Sequence, residues 1–121
     1  MLKDIKVRIE NKPGALANIG EALGDEKVNI EGFCGPCEEE GFAHILVDDA
    51  AAARKALAKA DIKVVKENEV LVLDLEDKPG KLGRVCRSIA DAGINIDYFY
   101  AASNTRVVLG ISDIEKARKA L

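Results

Sequence analysis

The stretch Glu10-Asn11-Lys12-Pro13-Gly14-Ala15-Leu16 decides the fold, because it occurs twice. Sixty-six positions later the chain reads Glu76-Asp77-Lys78-Pro79-Gly80-Lys81-Leu82. An apolar, strand-like run leads into each copy, at 5–9 and 71–75, and apolar residues at helical spacing lead out. Proline locks φ near the helical value and has no N–H to leave unsatisfied, so it suits a helix start. Asn11 and Asp77, two residues earlier, are side chains of the kind that cap such a start. Glycine lets a ligand or another backbone come close to exposed N–H groups. Each copy therefore reads as strand, tight turn and helix N-terminus, and a helix N-terminus favours carboxylate or phosphate.

Working outward, the chain repeats itself almost end to end. At an offset of 66, Glu10, Lys12, Pro13, Gly14, Leu16, Asp25, Asn29, Ile30 and Phe33 recur as identities. At an offset of 64, Ala53-Arg54-Lys55-Ala56-Leu57 recurs as Ala117-Arg118-Lys119-Ala120-Leu121. Such self-similarity marks a duplicated supersecondary unit, with a connection two residues shorter in the second copy. Each copy predicts a strand (3–10, 69–76), a helix (14–25, 80–92), a strand (28–34, 94–101) and a further strand (42–48, 105–111). A second helix then starts at Asp48-Asp49 or Ser112-Asp113. Only the first copy continues, into a fourth strand near 62–66, followed by a turn at Glu67-Asn68.

The order βαββαβ followed by βαββα predicts an α+β fold of two ferredoxin-like modules, residues 1–66 and 67–121. Each has an antiparallel sheet with helices packed on one face. The second module lacks its last strand, which would leave its first strand on an edge.

Composition narrows the function. The chain has 121 residues, 48% hydrophobic and 32% charged, as in ordinary globular proteins. Aromatics are 4% with no Trp, so the core must be aliphatic. A net charge of −3 argues against a nucleic-acid surface. No apolar run approaches the ~20 residues of a membrane helix, and the start lacks the apolar segment of a signal peptide. Three cysteines, an odd number, fit a reducing compartment, so a cytoplasmic location is expected.

These motifs resemble the ACT domain, a small ligand-binding module, and in particular the serine-sensing domain of bacterial phosphoglycerate dehydrogenases. The resemblance rests on Ile9-Glu10-Asn11-Lys12-Pro13-Gly14-Ala15-Leu16 with Val28-Asn29-Ile30. The second copy is Leu75-Glu76-Asp77-Lys78-Pro79-Gly80-Lys81-Leu82 with Ile94-Asn95-Ile96. It covers the whole chain as two tandem modules with no catalytic domain attached. The resemblance implies an amino acid bound where two modules meet. Its site residues would be Asn11, Pro13, Gly14, Ala15, Leu16 and Asn29, and Asp77, Pro79, Gly80, Lys81, Leu82 and Asn95. A ligand carboxylate would take the N–H groups around Gly14 to Leu16, and an α-ammonium would take side-chain oxygens of Asn11 and Asn29, or of Asp77 and Asn95. The resemblance also implies a non-enzymatic regulatory protein without cofactor or metal, a homodimer, and an amino-acid-metabolising enzyme as regulated partner.

Two other readings stand beside it. One is an interaction module that docks an enzyme through a sheet edge, favoured by the missing strand and by Tyr98-Phe99-Tyr100. The other is thiol redox through Cys34-Gly35-Pro36-Cys37. That motif normally opens a helix, which lowers the first thiol's pKa. Here it closes a strand and runs into Glu38-Glu39-Glu40, which would act in the opposite sense. Cys34, Cys37 and His44 lack the fourth ligand of a zinc site. Cys86 is expected to be a small buried core residue.

Overall fold

The computed structural model describes residues 1–35 and 41–121. Pro36, Cys37 and the acidic run 38–40 lie outside the described residues, and with them half of the Cys-Gly-Pro-Cys reading. The chain forms two compact units, Met1–Glu69 and Val70–Leu121.

The first unit runs β1 (Lys3–Arg8), α1 (Ala15–Asp25), β2 (Gly32–Cys34), β3 (Phe42–Val47), α2 (Ala50–Lys59) and β4 (Val64–Asn68). Its strands pair antiparallel in the order β4-β1-β3-β2. Alternation along the strands sends Ile5, Val7, Ala43, Ile45 and Val47 to one face. There they meet Ile19 and Leu23 of α1 and Ala53, Ala56 and Leu57 of α2. This aliphatic layer is the core expected from the composition. Burying each large side chain in it contributes about 1.5–3 kcal/mol. Asp49 caps α2, its Oδ1 accepting from the Ala52 N–H at 3.0 Å. Lys59 in the last turn of α2 bonds Glu26, just past α1, at 3.0 Å, and that hydrogen bond and charge hold its pKa above the usual lysine value.

The second unit runs β5 (Leu71–Asp74), α3 (Lys81–Asp91), β6 (Tyr98–Ala102), β7 (Arg106–Gly110) and α4 (Ile114–Ala120). Its order, β5-β7-β6, is the β1-β3-β2 order of the first unit with no counterpart of β4, and β5 stands at an end. Leu71, Ile89, Leu109, Ile111 and Ala117 form its core. Asp113 caps α4 as Asp49 caps α2, accepting from the Lys116 N–H at 3.0 Å.

Three expectations need correction. The second strand of each unit starts late, at Gly32 and Tyr98 rather than 28 and 94. The register explains why: Gly32 lies opposite Leu46 and β3 ends at Val47, so residues 28–30 have no strand to pair with. Glu67 and Asn68 lie within β4 rather than forming a turn, opposite Ile5 and Asp4. Asn11 and Asp77 are not the caps of α1 and α3. The N-cap positions are Gly14 and Gly80, with φ of 88° and 85° and no side-chain cap bond.

Candidate ligand-binding loops and strand starts

The two Lys-Pro-Gly loops are built alike. In the first, the Lys12 N–H donates to the Glu10 carbonyl at 3.0 Å, the Lys12 ammonium pairs with the Glu10 carboxylate at 3.1 Å, and the Ala15 N–H donates to the Lys12 carbonyl at 3.3 Å. In the second, Lys78 and Glu76 make the same two contacts at 2.9 and 2.7 Å, and the Lys81 N–H reaches the Lys78 carbonyl at 3.2 Å. The proline at 13 or 79 then delivers the chain to a glycine in the left-handed region, where a side chain would be strained.

A helix leaves its first N–H groups without intrahelical partners, and neither α1 nor α3 carries an acidic residue in its first turn. Both starts are thus donor-rich and carry the positive end of the helix dipole. A Cβ added at Gly14 would meet nothing within 4 Å, whereas at Gly80 it would lie 3.1 Å from the Arg84 guanidinium. The second loop therefore has an added cation beside it, together with Lys81 in place of Ala15.

The predicted strand residues Asn29 and Asn95 lie just ahead of β2 and β6, exposed, on extended chain. Val28 and Ile30, and Ile94 and Ile96, pack on the cores, so the asparagines point the other way. The Asn29 amide donates to Glu31 at 2.7 Å and the Asn95 amide to Asp97 at 2.9 Å. Sequence reading missed both hydrogen bonds; the Asn-x-acid spacing ahead of each strand was the available signal.

Within one unit these two groups are far apart. Gly32 is level with Asp4 across β3, so Asn29 lies beyond the start of β1, while Pro13 and Gly14 lie beyond its end. Helix α1, about 16 Å long from its 11 residues, separates them. The second unit repeats the arrangement, since Phe99 is level with Leu71. Of the predicted residues, each unit gathers Asn11, Pro13, Gly14, Ala15 and Leu16, or Asp77, Pro79, Gly80, Lys81 and Leu82, at one end. Asn29 or Asn95 stands at the other. A small amino acid cannot span that length, so a ligand touching both kinds of residue requires two modules.

Other candidates have structural explanations. His44 turns its Nδ1 to the buried carboxylate of Asp4 at 2.9 Å, and Asn68 donates to the same oxygen at 3.0 Å. Cys34 lies opposite His44 in the ladder. Cys86 is a free thiol, half-buried rather than buried. Leu16, Phe33, Leu82 and Phe99 are exposed at 58%, 61%, 46% and 66%, so the same two repeat positions offer apolar surface in both units.

A family model described as an ACT domain pair matches residues 1–120. The chain belongs to the ACT domain family. Two ACT modules of the ferredoxin-like kind, α+β, account for its whole element order. Among solved structures, a protein from Bacteroides thetaiotaomicron is 28% identical with a TM-score of 0.83, the match covering 98% of this chain and 85% of that one. The ligand-free regulatory subunit of aspartate kinase from Thermus thermophilus is 21% identical with a TM-score of 0.72, covering 99% and 87%. The regulatory subunit from Thermus flavus is 20% identical with a TM-score of 0.69, covering 98% and 89%. At those two identities the likeness is one of fold. No curated protein sequence matches the chain. Among the described residues, no helix of the ACT pair is long and apolar enough to cross a membrane.

Proposed function

We propose that this ACT pair is a regulatory protein that binds a small amino acid and passes its occupancy to an enzyme of amino-acid metabolism, without itself catalysing a reaction. The observation that carries this reading is the duplicated open helix start at Gly14 and Gly80. Both lack a cap, whereas α2 and α4 of the same chain have one. The ligand carboxylate takes the N–H groups of residues 16 and 17 or 82 and 83, since those of Ala15 and Lys81 are held by the Lys12 and Lys78 carbonyls. Its ammonium meets Asn29 or Asn95 of a neighbouring module, and the chain assembles as a homodimer. The fold shared with aspartate kinase regulatory subunits supports the choice of partner. The sites differ in charge: Asp77 replaces Asn11, Lys81 replaces Ala15 and Arg84 replaces Asn18, so the second favours a ligand with an additional anionic group.

The test is a thermal-shift screen of the twenty amino acids on the whole chain, repeated on Ala17→Glu and Gly83→Glu. Both positions are exposed in the first helical turn and, at Gly83, a Cβ has open space. A new carboxylate there competes with the ligand's own while suiting the helix dipole. One amino acid should raise Tm by several degrees, since ligand at a hundredfold over Kd contributes about 2.7 kcal/mol. One or both variants should lose the shift. A well-folded protein that responds to none of the twenty would instead favour a docking module, the reading to which exposed Phe33 and Phe99 lend weight.

A further inference from the structure

The sheet of the first unit has one face against α1 and α2 and one without a helix. Ile5 and Val7 take the helix side of β1, so alternation places Lys6 and Arg8 on the other. Lys6 lies directly opposite Lys66 of the end strand β4. Like charges so placed destabilise a sheet. Lys6 and Arg8 also share the ring of Phe42 on β3, the ammonium 4.5 Å and the guanidinium 5.0 Å from its centre. Among the described residues none of these three cations is in an ion pair, whereas Lys3, Lys12, Arg54 and Lys59 of the same unit each have an acid at 3.0–3.1 Å. Asp4 is on their side of β1, but it is fully buried and its Oδ2 is bonded by His44 and Asn68.

The fold does not demand this cluster. Lysine on an edge strand wards off unwanted pairing, which accounts for Lys66, but β1 is flanked by β3 and β4 and has no edge to protect. At the repeat positions the second unit has Val72 for Lys6 and Asp74 for Arg8. Asp74 lies opposite Arg106 on β7, as Arg8 lies opposite Phe42 on β3. The second unit thus sets acid against base where the first gathers bases alone. A ring that holds two cations in place lowers the ordering cost of binding an anion to them. Lys6 and Arg8 are about 7 Å apart along β1, which is also the repeat of side chains on one side of any extended segment.

We infer that the helix-free face of the first unit's sheet docks an acidic, extended polypeptide segment of the protein this chain regulates. Carboxylates at alternate residues of that segment meet Lys6 and Arg8, and Lys66 flanks the first of them. The inference rests on the regulatory reading above for the existence of a partner, and not on the amino-acid sites.

The experiment is a fluorescence-anisotropy titration of the whole chain with a labelled, end-blocked peptide of alternating Glu and Val, at low salt and at about 0.5 M salt. A peptide of the same composition with its Glu residues contiguous is the reference, and inorganic pyrophosphate is the competitor. The titration is repeated on Lys6→Gln, Arg8→Gln, Lys66→Gln and the triple variant, with the unliganded melting temperature and molar mass of each recorded. The alternating peptide should bind wild type more tightly than the contiguous one and lose affinity in high salt. Each single variant should weaken it about two- to fivefold, and the triple variant about tenfold or more. Lys66→Gln should leave melting level or raise it, because it ends the opposition to Lys6. A triple variant that binds as well as wild type, or two peptides that bind equally, overturns the inference. So does displacement by pyrophosphate at concentrations below the peptide's own Kd, which assigns the face to a small phosphate ligand. A triple variant of changed molar mass makes the face a contact between copies of this chain, and the inference falls. It falls too if well-folded wild type binds neither peptide, while the amino-acid reading stands or falls on its own thermal-shift screen.

Discussion

At equivalent points of their sheets the two units carry different chemistry. In the first unit Asp4 of β1 is fully buried, bonded by His44 of β3 and Asn68 of β4. The repeat sets Val70 and Val108 at the positions of Asp4 and His44, both buried, and the second unit has no strand to supply a third member. A buried carboxylate is tolerated only with its donors in place. One donor here arrives on the fourth strand, so the polar network and that strand occur together. A second inversion lies next to it. Gly32 of β2 faces Leu46 of β3, whereas Tyr98 of β6 faces Gly110 of β7. The large residue has changed strands while the pair still joins one large side chain to none. The loops and strand starts of the candidate sites share their backbone turns in both units and differ in charge at the loops, while the buried polar network diverges on the sheet.

The most damaging way to probe this difference is Asp4→Ala, which leaves His44 and Asn68 facing a lost acceptor. It should cost about 3 kcal/mol, read from urea unfolding. Installing the second unit's pair, Asp4→Val with His44→Val, should cost less than the two single changes together by about 1 kcal/mol or more. Strictly additive losses would show that the network does not act as a unit.

Gly110→Ala should come next, at about 2 kcal/mol, because the new Cβ would overlap the ring of Tyr98 and force it to move. Pairing Gly110→Leu with Tyr98→Gly copies the first unit's arrangement and should recover stability relative to Gly110→Leu alone. A pair no better than the single variant would break the equivalence.

The smallest effects concern helix starts. Asp49→Ala and Asp113→Ala should each cost about 1 kcal/mol, since each removes a working cap. Asn11→Ala and Asp77→Ala should stay within about 0.5 kcal/mol, because neither side chain caps a helix. Equal losses at all four positions would erase the distinction between structural helix starts and those held open at the candidate sites.

Much was legible before the structure because it depends on local physics. Helix α1 spans Ala15–Asp25 where the spacing of Leu16, Ile19 and Leu23 predicts 14–25. Asp49 and Asp113 start α2 and α4 as their chemistry predicts. The misreadings occur where a residue's role depends on a distant partner. Asn11 and Asp77 have the composition of caps, but a left-handed glycine three residues later took that position. Asn29 and Asn95 have the pattern of strand residues, but β3 and β7 end before they can pair with them.

The sequence alone determined that this chain is two copies of one α+β module, because periodicity, turn chemistry and internal repetition are written in neighbouring residues. It determined the two loops as well, through Pro and Gly at fixed offsets. Only the tertiary structure decided that loop and asparagine stand at opposite ends of each module, and that His44 serves a buried Asp4. It also decided that Glu31 and Asp97 occupy the asparagine amides. Those facts depend on strand register and on which side chains burial brings together, and neither is encoded in any single stretch of chain.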